Sequence, residues 1–104
     1  MSRRTQTTRA YNLGATTLMK LGNIPRALEF ATMSLSIEPD DPLILYNVAC
    51  MYALMDKRED ALAHLERAIS NGFSHKESLA NDPDLESIRK TPWFQAIAKG
   101  VPSS

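Results

Sequence analysis

The sequence predicts an all-α fold of antiparallel helix pairs closed by a different, capping arrangement at the C-terminal end. Three observations point there. Displacing the sequence by 34 residues lays Ala27-Leu28 on Ala61-Leu62, Ala15 on Ala49, Leu18 on Tyr52, Leu21 on Met55 and Leu35 on Ile69, so small meets small and large meets large. Inside each period the apolar residues recur at steps of three and four, the spacing that lines one face of a helix. Gly22, Pro25, Pro39, Pro42 and Gly72 fall at the edges of these runs, where glycine and proline start and stop helices.

The first helix of the first period is expected over about 7–21, with Tyr11, Ala15, Leu18 and Leu21 as one apolar stripe. Gly22-Asn23 ends it, because glycine readily takes the left-handed conformation of a helix end. Pro25 then lies in the first turn of a second helix over about 24–37, where its missing N–H costs nothing. Asp41-Pro42 starts a third helix, carrying Leu45, Val48, Ala49, Tyr52 and Met55. Asp56 and Glu59 stand at the spacing of a capping box before the fourth, which carries Leu62, Leu65, Ala68 and Ile69. Ala15, Ala27, Ala49 and Ala61 are small for a packing reason. Two antiparallel helices at close range need a slim side chain where their axes approach.

Beyond Phe73 the period fails, since Pro83 and Pro92 fall where a third unit needs unbroken helix. A helical turn near 76–80 is expected, then helices at about 83–90 and 92–99 started by Asp82-Pro83 and Thr91-Pro92. Leu79, Leu85, Ile88, Trp93, Phe94 and Ile97 supply the apolar surface to cover the open end of the second pair, as a terminal cap must. The whole chain of 104 residues is read as one domain, with repeats at about 8–41 and 42–75 and a cap at 76–104.

Twelve basic and twelve acidic residues cancel. That removes the global field of a nucleic-acid or membrane binder, so neither partner is expected. The charges are nonetheless uneven: Arg3, Arg4, Arg9, Lys20 and Arg26 all precede the first acid, Glu29. No apolar run reaches the length of a membrane span and no secretion signal opens the chain. A lone cysteine, Cys50, fits a reducing compartment. The expected location is the cytoplasm.

The residues carrying the 34-residue period resemble two consecutive tetratricopeptide repeats, from about Thr8 to Gly72. The likeness is strongest in Gly22-Asn23-Ile24-Pro25-Arg26-Ala27-Leu28 with Pro39, and in Ala61-Leu62 with Leu65 and Ala68. Ala15 and Ala49 stand at the family's usual glycine, Leu45 where tryptophan is common, and Tyr11-Asn12-Leu13-Gly14 lies one residue out of register. The stretch Leu79 to Arg89 with Pro92-Trp93-Phe94 is similar to the tail that follows such repeats in bacterial signalling proteins, including adenylate cyclases and serine/threonine kinases. The resemblance implies a non-catalytic module for protein or peptide binding. Its alternative is a regulatory or self-associating appendage of a larger signalling enzyme.

No catalytic or metal-binding constellation assembles from the reactive side chains. Cys50 with His64 or His75 offers the only nucleophile and base, and their helix positions argue against a pair, Cys50 being read as a packing residue. Two histidines and one cysteine do not make a zinc set at any familiar spacing. Asp40-Asp41, Glu59-Asp60 and Asp82-Pro83-Asp84 sit at helix starts, where the macrodipole favours carboxylates. No glycine-rich phosphate loop is present. Trp93-Phe94 is read as cap packing. Catalytic residues, cofactors and metals are accordingly not expected.

Carried over from the family's pattern, the groove lined by the first helix of each pair contains Asn12, Thr16 and Met19, then Leu43, Tyr46, Asn47, Cys50 and Leu54. Leu43, Tyr46, Met51 and Met19 are expected to form an exposed apolar patch, which on a small protein marks an interface. Three readings stay open: a groove for a peptide, a surface for a homodimer, or a groove filled by the cap.

Overall fold

A computed structural model describes residues 3–101, and among them there are helices and turns but no strand. The order is α1 (Arg3–Lys20), α2 (Ile24–Ile37), α3 (Pro42–Leu54), α4 (Arg58–Ser70), α5 (Lys76–Asn81), a 3₁₀ turn (Pro83–Leu85), α6 (Glu86–Arg89) and α7 (Pro92–Ala98). Neighbouring helices pack in pairs, α1 on α2 and α3 on α4, with α3 also lying on α2. The expected all-α fold of helix pairs with capping helices is the one observed.

The boundaries follow from the local chemistry already named. Asp41 caps α3, its carboxylate accepting from the amides of Leu43 at 2.9 Å and Ile44 at 3.2 Å. The Asp82 carboxylate accepts from the Asp84 amide and the Thr91 hydroxyl from the Phe94 amide, so both proline-started turns of the cap form as expected. Helix α1 begins at Arg3, four residues before the expected 7. Arg4 reaches across to the carbonyl of Ile37, donating from Nε at 2.9 Å and also from Nη2. That contact joins the start of α1 to the end of α2.

The three loops that close α1, α3 and α4 share one geometry. The amide of Asn23 returns to the carbonyl of Leu18, that of Lys57 to Tyr52 and that of Phe73 to Ala68, each at 2.9 Å. Such a closure puts the intervening residue in the left-handed region, occupied here by Gly22, Asp56 and Gly72. The expected capping box at Asp56 and Glu59 therefore does not form. Asp56 is spent on ending α3, with φ 60°, and the cap position of α4 falls to Lys57, which makes no side-chain cap bond. The Asp56 carboxylate faces Arg58 instead, at 3.1 Å.

The core divides about α3. Ile44, Val48 and Met51 pack with Ala15, Ala27 and Ala31 of the first pair. Leu45, Ala49 and Ala53 pack with Ala61, Leu65 and Ala68 of α4, and the cap adds Leu79, Leu85, Ile88, Phe94 and Val101. The four alanines picked out by spacing are all fully buried. Leu21 is a correction: it is the residue after α1, lies outside the apolar stripe and is exposed. Arg89 holds the cap together, donating from Nε to the Leu79 carbonyl at 3.0 Å and from Nη2 to the Asp82 carbonyl. Ser87 ties α6 to the end of α3 through the Ala53 carbonyl at 3.3 Å.

Candidate docking groove

Helices α1 and α3 lie side by side, and the face they share is divided by a side-chain bridge. The Asn47 side-chain amide donates from Nδ2 to Asn12 Oδ1 at 3.2 Å. On one side of this pair a shallow recess is lined by Thr16, Met19, Lys20, Asn47, Leu54 and Asp84. On the other, Arg9, Asn12 and Leu43 border a second recess closed by Glu38 and Asp41. Leu43 and Leu54 are exposed, while Asn12, Thr16, Met19 and Asn47 are half-buried. Six of the eight expected groove residues thus reach a common solvent-facing surface. A cation stands at each end of it, Arg9 and Lys20, each with a carboxylate lining the same recess.

Tyr46 and Cys50 are corrections. They are only 8% and 2% exposed, because the 3₁₀ turn of the cap crosses α3 at this level. Phe73 stacks on the Tyr46 ring at 4.3 Å with the planes 10° apart, and the Tyr46 hydroxyl donates to Asp82 Oδ2 at 2.5 Å. The expected apolar patch of Leu43, Tyr46, Met51 and Met19 is lost for a second reason. Met51 is fully buried against the first helix pair. The third helix has apolar residues on almost every side, and that density follows from its lying between α2, α4 and the cap, with α1 alongside.

The cap also assembles a cluster that sequence spacing does not reveal. Cys50 Sγ and carboxylate oxygens of Asp82 and Asp84 lie within 4.8 Å of one another. Burial, then the Asp82 charge, pushes the Cys50 thiol well above its usual range, partly opposed by its hydrogen bond with Tyr46. Burial, then the hydrogen bond to Asp82, raises Tyr46 as well. Asp84 is raised by burial and by the charge of Asp82. These shifts favour protonated groups at Cys50 and Tyr46, whereas a nucleophile or metal ligand there would need the thiolate. Asp82 is already engaged: one oxygen accepts from Tyr46 and the other from the Asp84 amide. The arrangement is a hydrogen-bonded clasp between cap and α3. Asp82-Pro83 is legible as a helix start, but nothing in its spacing tells where that start lands.

The remaining chemistry candidates lie elsewhere. His64 Nδ1 meets the backbone carbonyl of Asp60 at 2.8 Å, not its carboxylate, and its ring tilts against Tyr52. His75 lies beside Phe73, and Phe94 is buried in the cap with Trp93 partly exposed beside it.

Comparison with known proteins leaves the family open and gives one point of likeness. No protein-family model matches the chain, and no solved structure matches it. The chain is similar to a chloroplastic protein of Arabidopsis thaliana, with 32% identity over 83 residues, which is 77% of this chain and 25% of that protein. The chain spans about a quarter of that relative's length.

Proposed function

We propose that this chain is a non-catalytic docking module of the tetratricopeptide type, taking a peptide segment of a protein partner along α1 and α3. The observation that supports it most is the surviving recess beside the Asn12–Asn47 bridge, where apolar Met19 and Leu54 sit next to polar Thr16 and Asn47. Apolar surface gives a peptide its affinity, and a few fixed polar groups give it register. The second recess, past Asn12, extends the surface toward Leu43 and Arg9. The occupant is therefore read as an extended segment crossing the bridge.

A second reading has its own support. The stretch shared with this chain is only 25% of the relative, which favours a module that serves a longer protein. Compartment follows the same division: the cytoplasm is the reading from sequence, and the relative's name carries the chloroplast. Targeting of a full-length fluorescent fusion separates these locations.

The test uses groove residues that the cap leaves open. Peptides selected by display against the wild-type chain are measured against Leu54→Glu and Met19→Glu, with thermal melts run alongside. A loss of about tenfold or more in affinity at unchanged melting temperature supports the groove. Peptides that bind both variants as well as wild type, or a selection that yields none, would overturn it.

A further inference from the structure

The 34-residue period allows each face of the first helix pair to be compared with its counterpart in the second. On α3, Ile44, Val48 and Met51 form the face turned to the first pair, and they are 2%, 0% and 0% exposed because α2 lies on them. Their counterparts on α1 are Ala10, Gly14 and Thr17, followed by Leu21 as the counterpart of Met55. Leu13 joins these at helical spacing, so one seam runs through Ala10, Leu13, Gly14, Thr17 and Leu21. Among the described residues no helix lies on this seam in the way that α2 lies on α3. Leu13 is 68% and Leu21 76% exposed. Phe30 of α2 widens the surface, its ring pressed so close to Gly14 that a Cβ there would sit 2.7 Å from it, with Tyr11 edge-on at 6.1 Å. The same face that is dry in the second pair is wet and apolar in the first.

Charge says what would cover it. Arg3 falls on the seam by helical spacing, Arg9 and Lys20 follow the edge that borders the groove, where each shares a recess with a carboxylate, and Arg26 lies over the Phe30 ring at the other edge, 5.6 Å from its centroid. No acid occurs on α1, and the first in the chain is Glu29. A second copy laid face to face would bring one basic seam against another, which opposes association. A helix carrying carboxylates on both sides of an apolar seam would meet cations at both edges.

We propose that the free face of α1 is a second docking surface, adjoining the groove along Arg9 and Lys20 but centred on Leu13, Thr17 and Leu21, and that it takes an amphipathic helix of a partner protein whose small apolar seam is flanked by Asp or Glu. The helix lies where α2 lies on α3. Ala10, Gly14 and Thr17 let its axis come close, and Leu13, Leu21 and Phe30 supply the apolar contact.

The probe is a synthetic helix of the length of α2, with alanine and leucine along one seam and glutamate on both flanks, paired with a twin carrying lysine on the flanks. Each is titrated into the full chain while backbone amide shifts are followed. The glutamate helix is expected to bind, to move the signals of Ala10, Leu13, Thr17 and Leu21, and to bind about tenfold or more tighter than its twin. Leu13→Glu with Leu21→Glu should weaken it by about tenfold or more, and Leu13→Ser with Leu21→Ser provides a charge-free check on the same contact. No binding of the glutamate helix, equal binding of the twins, or shifts confined to Thr16, Asn47 and Leu54 would overturn the proposal. So would a concentration-dependent dimer of the chain alone that the double variant dissolves.

Discussion

The two helix pairs repeat one pattern, yet they live in different surroundings. In α1 only Thr8 and Ala15 are buried among the described residues, whereas α3 buries Ile44, Leu45, Tyr46, Val48, Ala49, Cys50, Met51 and Ala53. Among the described residues the second pair is held from both sides, by α2 and by the cap, and the first from one side only. Polar ties within the first pair include Arg4 to the Ile37 carbonyl and the buried Ser34 hydroxyl to the Thr8 carbonyl at 3.3 Å. Position in the stack, more than the pattern of a unit, decides how much each unit contributes to stability.

Core truncations should break this comparison most sharply. Leu45→Ala or Leu65→Ala leaves a cavity in the fully buried centre of the second pair and is expected to cost about 2–5 kcal/mol in urea unfolding. Leu13→Ala, on the open face, should change stability by less than about 0.5 kcal/mol. Amide exchange measured on the wild type should run in the same order, with α1 opening at lower free energy than α3. Equal protection of the two helices would remove the distinction.

The clasp between cap and α3 ranks next. Asp82→Ala removes a cap worth about 1 kcal/mol and strands the buried Tyr46 hydroxyl, at about 1–3 kcal/mol more. Tyr46→Phe should cost only about 1 kcal/mol, and the double variant should fall short of the sum by about 0.5–3 kcal/mol. Additive losses would mean that the bond at 2.5 Å does not hold the cap.

A smaller effect separates the loops that end α1 and α3. Gly22 and Asp56 are counterparts, both left-handed, with φ of 87° and 60°. Asp56→Gly relieves the left-handed strain and should stabilise the chain by up to about 1 kcal/mol, reduced by the greater freedom of glycine in the unfolded chain and by the loss of an exposed ion pair with Arg58 that is worth little. Gly22→Ala should destabilise it by about 1–2 kcal/mol. Thermal melts of both variants with the wild type give the signs directly.

Asp84 provides the smallest and most specific test. Its pKa is raised in the folded state, so its contribution to stability is full below the ordinary aspartate value and is lost as pH rises through the raised one. Asp84→Asn removes that loss. The variant should therefore gain on the wild type as pH moves from acidic to neutral, read from melting temperatures across that range. An unchanged gap would show that the carboxyl is not strained by its surroundings.

Much of this architecture is written locally. The Gly22 and Gly72 stops, the Asp41-Pro42 and Thr91-Pro92 starts and the four buried alanines depend on neighbours within a few residues or on one repeated contact. A reader of the sequence can find them. Asp56 misleads such a reader because the left-handed position that ends α3 and the cap position that starts α4 compete for the same short loop. Six of the eight expected groove residues come to one surface because helical spacing puts them on one face. Tyr46 and Cys50 share that spacing and still end up elsewhere.

The set of helices, their pairing and the side of each that must be apolar follow from sequence alone, since period and capping act over one or two turns. Which faces are covered depends on how the helices come together in space. The cap returns across 36 residues to set Asp82 on Tyr46, and α2 lies on α3 while no described helix lies on the matching face of α1. Coverage depends on where each pair stands in the stack, and two units with one pattern cannot differ in that respect until they are folded together.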